Sequence, residues 1–125
     1  MGFLNALFGN ASQVSTEDIQ KKYDRLLIAS ETLVAAFQLF RDVYIFTDKR
    51  LLLIDKQGVS GQKTEYLTIP YRSISRFSVE SAGHFDLDAE LKIWISSANE
   101  PAIVKTFSKS VDIYAIQQIL AKYVM

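Results

Sequence analysis

Cysteine is absent from this 125-residue chain, and histidine occurs once, as His84. Without cysteine, the sequence excludes disulfides, zinc–thiolate sites and cysteine nucleophiles. It also lacks a G-x-S-x-G motif, so we can assign no nucleophile with a partnering base. No apolar run reaches the roughly 18 residues that a transmembrane helix needs. We therefore predict a protein that is not an enzyme and that has neither a metal site nor a cofactor.

An excess of charge of one sign is also missing. Lysine and arginine together number 14, as do aspartate and glutamate, so the net charge is zero. Such a balance gives no global signal for binding nucleic acid or an anionic membrane. The first residues lack the basic region of a secretory signal, and Ala6 stands where a myristoylation signal has Ser or Thr. We predict a cytoplasmic protein, with peripheral membrane attachment as the alternative.

The central stretch, residues 43–54, reads VYIFTDKRLLLI and predicts a β-hairpin. Two short apolar runs flank the polar turn Thr47-Asp48-Lys49-Arg50. Because both runs are almost continuously hydrophobic, they indicate strands of a closed or packed sheet. The whole chain is 49% hydrophobic and 22% charged, which is the composition of one ordinary globular domain.

Helical patterns precede the strands. Residues 3–8 place apolar side chains on one face of a short helix. This helix would pack on the domain, join subunits or lie in a membrane interface, and the lack of Lys or Arg before Lys21 disfavours the membrane. A second helix begins with Ser15 or Thr16 as its cap, and Asp18 lies three positions after Ser15, in capping-box position. We expect it to end near residues 28–30.

Seven short strands and one helix follow. The predicted strands are 33–41, 43–46, 51–54, 63–69, 73–79, 85–95 and 102–107. The spacing of Ile74 and Phe77 indicates a β-bulge. The last helix has Ser110 as its candidate cap, with Asp112 in the first turn. Seven antiparallel strands and a closing amphipathic helix indicate a small barrel or an orthogonal sandwich.

This order of elements resembles the bacterial pleckstrin-homology-like family, and within it a subgroup with an N-terminal helical extension. The matching pieces are ETLVAAF at 31–37, Arg41-Asp42, FTDKRL at 46–51, GVSG at 58–61, Glu65-Tyr66, Ile69-Pro70-Tyr71 and FDLDAELKIW at 85–94. The resemblance implies a seven-stranded, strongly bent antiparallel barrel capped by the C-terminal helix. It divides the chain into a helical extension, residues 1–30, and a barrel, residues 31–125. It also implies a non-enzymatic module that forms ring-like homo-oligomers through barrel edges.

Asp86, Asp88 and Glu90 place three carboxylates on one face of a predicted strand. Their spacing of about 6.5 Å is too wide to converge on one hard cation without loop ligands. Residues 41–76 hold seven basic against four acidic side chains, whereas residues 77–100 hold one against five. Such segregation favours head-to-tail self-association, in which these carboxylates meet a basic neighbour. The alternative to self-association is that these carboxylates belong to an ordinary charged surface. His84, the only histidine, would then be a surface residue beside the solvated Asp86.

Trp94, Tyr66 and Tyr71 are candidates for an exposed aromatic patch at the self-association interface. Alternatively, the N-terminal helices cover Trp94. A rival function is contact with an anionic lipid or phosphate through Lys49 and Arg50, although two cations contribute only about 2 kcal/mol at an anionic surface. The connection at Arg41-Asp42 carries no basic cluster, which makes inositol-phosphate binding doubtful.

The sequence thus predicts a non-enzymatic binding or scaffolding module that assembles into a homo-oligomer through its strand edges. Its predicted partner is a second copy of itself, with an unknown protein or peptide as a further candidate and no nucleic acid. The alternative function is a peripheral membrane or lipid- and phosphate-binding domain.

Overall fold

The computed structural model describes residues 12–38, 42–58, 63–80, 88–108 and 111–125. Within these ranges the chain forms eight strands and two helices. The strands are β1 Ser12–Val14, β2 Leu33–Gln38, β3 Val43–Thr47, β4 Arg50–Gln57, β5 Lys63–Pro70, β6 Ile74–Glu80, β7 Asp88–Ile95 and β8 Ile103–Ser108. The helices are α1 Thr16–Lys22 and α2 Ile113–Val124, and single 3₁₀ turns lie at Asp24–Leu26 and Tyr71–Ser73.

The strands form two antiparallel sheets. Strands β2 to β5 are consecutive neighbours, and the short β1 extends them to a five-stranded sheet, while β6, β7 and β8 form a three-stranded sheet. Within the described parts of the chain no ladder joins the two sheets, so the predicted closed barrel is wrong. The break falls after Pro70, which cannot donate to a ladder. The following 3₁₀ turn carries the chain into the second sheet.

The β3–β4 hairpin is confirmed, with Val43 opposite Ile54 and Phe46 opposite Leu51. Its strands are buried on both faces, which explains their continuous hydrophobicity. One face contributes Tyr44, Phe46, Leu51 and Leu53 to the core shared with the second sheet and α2. The opposite face contributes Val43, Ile45, Leu52 and Ile54 to a second core, which Ile19 and Tyr23 complete.

Helix α1 covers the outer face of the five-stranded sheet. Ser15 caps it as predicted, because its hydroxyl accepts a hydrogen bond from Asp18 N at 3.5 Å. The helix ends at Lys22, earlier than the predicted residues 28–30, and the 3₁₀ turn replaces its last turn. The predicted helix at residues 3–8 lies outside the described residues, and the division of the chain at residue 30 stays a prediction.

Helix α2 closes the shared core with the buried side chains of Ile113, Ile116 and Leu120. Asp112 is its cap, since its Oδ1 accepts hydrogen bonds from Tyr114 N at 3.1 Å and Ala115 N at 3.4 Å. The prediction that Asp112 lies in the first turn was therefore wrong by one position. Ser110, the predicted cap, lies outside the described residues.

The remaining strand predictions differ mainly at the ends. The sequence did not predict β1, which pairs with β2. The predicted bulge in β6 is confirmed, because the register with β7 shifts between Ile74 and Arg76. The predicted parts of strands at 39–41 and 85–87 lie outside the described residues.

Candidate functional site

The turn between β3 and β4 contains Lys49 and Arg50, the two predicted anion contacts. Thr47 organises this turn, because its hydroxyl accepts hydrogen bonds from Lys49 N at 3.1 Å and Arg50 N at 3.0 Å. On the other side of the turn, Asp48 Oδ1 accepts from Thr32 N at 2.9 Å, and Asp48 N donates to Thr32 O at 2.9 Å. The turn is therefore fixed to the segment that precedes β2, and Lys49 remains exposed.

Arg50 is held inside the protein. Its Nε donates to Glu31 Oε2 at 2.8 Å and its Nη2 donates to Glu31 Oε1 at 3.0 Å. Nη2 also donates to Leu26 O at 2.7 Å, and Nη1 donates to Thr68 Oγ1 at 2.8 Å. A two-pronged contact of this kind satisfies the planar guanidinium. Arg50 therefore has a structural role in this turn, and its predicted contact with a lipid or phosphate stays a prediction.

Glu31 completes the contact as an ionised carboxylate. Its side chain has no exposed surface, and Thr47 Oγ1 donates to its Oε2 at 2.6 Å. Burial alone would raise the pKa of Glu31, but hydrogen bonds from Arg50, Thr47 and Ile28 N–H hold that pKa below its usual value. We call Glu31, Thr47 and Arg50 the Glu31 brace. It ties the β3–β4 turn to the segment that leads into β2.

The three aromatic residues predicted to form a patch are separated. Tyr71 is 5% exposed, stacks on Tyr123 at a ring distance of 5.3 Å and donates its hydroxyl to Thr47 O at 2.7 Å. Tyr66 lies on β5 and is exposed, whereas Trp94 lies on β7 in the other sheet. The prediction of one patch was therefore wrong, because the 3₁₀ turn after Pro70 directs Tyr71 into the core.

Trp94 is half-buried under a cation. The guanidinium carbon of Arg76 lies 4.5 Å from the ring centre of Trp94, and the indole Nε1 donates to Asn99 O at 3.1 Å. Of the three predicted carboxylates, Glu90 is also partly satisfied, with Lys92 Nζ 3.5 Å from its Oε1. Asp86 and the side chain of Asp88 lie outside the described residues, so their role in self-association stays a prediction.

A cleft of about 470 Å³ lies between α1 with its 3₁₀ turn and the outer face of β4 and β5. We call it the basic cleft. Its lining residues are Lys22, Tyr23, Arg25, Leu26, Ile54, Lys56, Thr64 and Tyr66. The three cations come from three different segments, which fold together because α1 packs Tyr23 onto the sheet. The lining contains no carboxylate.

A smaller cavity of about 90 Å³ lies at one end of the shared core. Asp42, Asp55, Glu65, Tyr44 and Lys105 are among its lining residues. Burial, followed by a hydrogen bond and charge repulsion from Asp55, raises the pKa of Asp42. Burial also raises the pKa of Tyr44, whose hydroxyl is buried without a hydrogen-bond partner. The Asp42 carboxyl in this cavity therefore ionises less readily than an ordinary aspartate.

Asp42→Asn is expected to raise the melting temperature at pH 7 by a few degrees. The folded state raises the pKa of Asp42, which means that the ionised Asp42 carboxylate destabilises the fold at neutral pH. This destabilisation disappears as the pH falls through the folded pKa and the carboxyl becomes protonated. Asparagine keeps an acceptor for Lys56 N, which lies 3.2 Å from Asp42 Oδ1. Thermal unfolding from pH 7 down to pH 3 checks this, because the gain should disappear in acid.

The control for this substitution is Glu100→Gln, which removes an exposed carboxylate from a turn. It should leave the melting temperature within about a degree at both pH values. An Asp42→Asn protein that is less stable than the parent at pH 7 would show that the Asp42 charge stabilises the fold.

Two classes of site find no support in the described ranges. They contain no group of three or more His, Asp or Glu residues that could hold a metal ion. They also contain no helix that is long and apolar enough to cross a membrane.

Two antiparallel sheets around a shared core, closed by a C-terminal helix, define a pleckstrin-homology-like fold. The chain belongs to the bacterial PH domain family, whose model matches residues 2–124. The predicted resemblance to this family is thereby confirmed.

Three relatives show how close the match is. An uncharacterized protein of Bacillus subtilis strain 168, YjqA, is 57% identical over the full length of both chains. A DUF1696 family protein with a pleckstrin-homology domain from Shewanella loihica is 43% identical, with a TM-score of 0.84 over 94% of this chain and 99% of that one. A pleckstrin homology domain from Shewanella amazonensis is 48% identical, with a TM-score of 0.75 over 99% of each chain.

Proposed function

We propose that this protein is a non-catalytic module that self-associates into a homo-oligomer through the edges of its sheets. The observation that carries this proposal is the exposure of β5, the last strand of the five-stranded sheet. Side chains 65–68 of this strand are all exposed, and they include the apolar Tyr66 and Leu67. On one side β5 pairs with β4 over eight residue pairs, and no described strand pairs with its other side.

An edge of this kind is a template for pairing with another chain. Natural edge strands usually avoid such pairing with charges, prolines or bulges. β5 has charges at Lys63 and Glu65 and ends with a proline, but the adjacent Tyr66 and Leu67 near its middle are apolar and exposed. Its register with β4 runs without a bulge from Lys63 to Pro70. The strand is therefore long and regular enough to accept a second copy.

Segregated charge supports a head-to-tail contact between copies. The stretch with Asp86, Asp88 and Glu90 is acidic, whereas residues 41–76, which include β4 and β5, hold seven basic and four acidic side chains. When two different surfaces of the same protein bind one another, each copy is rotated relative to the previous one. A ring forms if repeated rotations return to the first copy. The predicted non-enzymatic, scaffolding role belongs to this proposal.

Leu67→Lys is expected to convert the assembly to a monomer of 14.2 kDa. A lysine in the middle of the edge must be desolvated when a second strand pairs there, which is the means by which natural edges prevent pairing. Light scattering on a sizing column should give a discrete, larger molar mass for the parent protein and the monomer mass for the variant.

The matched control is Tyr114→Lys, which places the same charge at an exposed aromatic residue on α2. This variant should keep the parent's molar mass. Reversal of Asp86, Asp88 and Glu90 to lysine, measured at low and high salt, tests the charge contribution, and assembly that survives the reversal removes them from the interface. A parent protein that is monomeric at every salt concentration contradicts the proposal.

The alternative function, anionic lipid or phosphate contact at the β3–β4 turn, has less support. Of its two cations, Arg50 is neutralised by Glu31, so Lys49 alone faces outward. A single lysine contributes only about 1 kcal/mol at an anionic surface. Such binding would be too weak to hold the protein there.

A further inference from the structure

The basic cleft has the size and composition of a small-molecule site. At about 470 Å³ it falls within the usual range for ligand pockets of roughly 300–1,000 Å³. Leu26 and Ile54 give it apolar surface, while Thr64, Tyr66 and three cations provide polar groups. An apolar surface with a few converging polar groups is the usual pattern of a binding site.

The charge of the cleft is uncompensated. Lys22, Arg25 and Lys56 all line it, and none of them forms an ion pair with a carboxylate among the described residues. The contrast with Arg50 is direct, because that guanidinium is fully engaged by Glu31 nearby. Three unpaired cations around one concavity, with no carboxylate in its lining, attract an anion.

The hydroxyl of Tyr23 is a second, independent observation. Tyr23 lines the cleft and is only 8% exposed, yet its buried hydroxyl has no hydrogen-bond partner among the residues that the structure describes. A buried donor without a hydrogen-bond partner destabilises the fold, so such groups are rare and call for an explanation. Burial, followed by the nearby Tyr66, raises the pKa of Tyr23. The phenol therefore keeps its proton at neutral pH and is a donor.

We propose that the basic cleft binds a phosphomonoester carried on an apolar or aromatic body. Arg25, Lys22 and Lys56 neutralise the phosphate, since guanidinium and ammonium groups form the strongest hydrogen bonds to phosphate oxygens. Tyr66, Leu26 and Ile54 contact the body of the ligand. The Tyr23 hydroxyl donates to a ligand oxygen and so gains the partner that it lacks. A free metabolite and a phospholipid headgroup share this chemistry.

Phenyl phosphate is the probe, because it joins one phosphate to one aromatic ring. Titration followed by amide NMR shifts should show saturable binding that maps to residues 22–26, 54–56 and 64–66. Inorganic phosphate and phenol, each carrying half of the probe, should bind at least tenfold more weakly. The absence of any shift with millimolar phenyl phosphate overturns the proposal.

Arg25→Gln and Lys56→Gln are each expected to weaken phenyl phosphate binding about tenfold or more, the loss expected for one charge-assisted hydrogen bond. Arg72→Gln and Lys122→Gln are the matched controls, because both residues are exposed cations outside the cleft. The controls should bind like the parent. Equal binding by the cleft variants and the parent overturns the proposal.

Tyr23→Phe separates a ligand-binding role of the hydroxyl from a structural one. Removing an unsatisfied buried hydroxyl should leave the melting temperature of the free protein unchanged or higher. At the same time it should weaken phenyl phosphate binding about tenfold. A variant that melts lower and binds equally well shows that the hydroxyl supports the fold and not the ligand.

Vesicles distinguish the two sources of the phosphate. Co-sedimentation with vesicles that contain phosphatidic acid, whose headgroup is a phosphomonoester, assigns the cleft to a lipid headgroup if it is absent with phosphatidylcholine vesicles and lost in Arg25→Gln. Binding of phenyl phosphate without co-sedimentation assigns it to a free phosphomonoester. This test is independent of self-association. A monomeric Leu67→Lys protein that binds phenyl phosphate supports the ligand site in the basic cleft. The proposed pairing of β5 edges is tested separately, by the molar mass.

Discussion

Glu31→Ala is expected to lower the free energy of unfolding by about 3–5 kcal/mol, the usual effect of removing one partner of a buried ion pair. Domains of this size have total stabilities of roughly 5–15 kcal/mol, so the variant should be partly unfolded at physiological temperature. Urea denaturation at one fixed protein concentration measures the loss.

The reason lies in how many groups depend on this one carboxylate. Without it, Arg50 loses two hydrogen bonds of 2.8 and 3.0 Å, and Thr47 loses an acceptor at 2.6 Å. Ile28 N also loses its side-chain acceptor at 3.3 Å. The Arg50 side chain is 20% exposed, so without Glu31 it would carry an uncompensated charge in a largely buried position. The β3–β4 turn and the segment before β2 lose their common anchor.

The effect also depends on pH. Because the folded state lowers the pKa of Glu31, the stability that it contributes is present above the unfolded pKa of about 4.5. It is lost as the pH falls through the lower folded value. The difference between Glu31→Ala and the parent should therefore shrink in strong acid.

The matched control is Glu100→Ala, which removes an exposed carboxylate from the turn before β8. We expect it to change stability by less than about 0.5 kcal/mol. Glu31→Gln keeps the shape of the side chain but not its charge, so its stability should lie between that of Glu31→Ala and that of the parent protein. A Glu31→Ala protein as stable as the Glu100→Ala protein would show that the Glu31 brace makes no net contribution to stability.

The hairpin could be predicted from sequence because its signal is local. Two apolar runs, a polar turn and an antiparallel register follow from residues that are neighbours in the chain. The Glu31 brace could not be predicted, since Glu31 and Arg50 are separated by 19 positions. One signal existed: both residues lie within pieces that match the family, ETLVAAF and FTDKRL, but a motif shared with a family does not say which of its residues touch.

The aromatic patch failed for a different reason. The alternation of side chains predicts which face of a sheet a residue lies on only as long as the strand continues. β5 ends at Pro70. Tyr71 then lies in a 3₁₀ turn, where the period of two no longer applies. The basic cleft was missed because it combines α1, β4 and β5, and no local pattern links Arg25 to Lys56 or Tyr66.

A second large effect is expected in the shared core, where Phe107 joins the two sheets. Its ring centre on β8 lies 5.4 Å from that of Phe37 on β2 and 6.1 Å from that of Tyr44 on β3, both in edge-to-face geometry. Phe37 in turn meets Phe46 at 5.8 Å. Since no described ladder connects the sheets, side-chain packing of this kind holds them together.

Phe107→Ala is therefore expected to lower the free energy of unfolding by about 3–5 kcal/mol, combining lost burial with the cavity left behind. The loss of edge-to-face contacts adds to this effect. Phe107→Leu should lower the free energy of unfolding by less, because leucine retains most of the side-chain volume although it loses the ring contacts. Urea denaturation measures all three proteins, and a reduced m-value in the alanine variant would show that the second sheet loosens first.

Val104→Ala is the matched control on the same strand, because Val104 is exposed on the outer face of β8. It should change stability by less than about 0.5 kcal/mol. If Phe107→Ala lowered the free energy of unfolding no more than Val104→Ala, α2 would be the main element that holds the two sheets together. Its Ile116 and Leu120 are completely buried in the same core. Because Phe107 has no exposed surface and contacts two strands of the opposite sheet, we expect the aromatic contact to dominate.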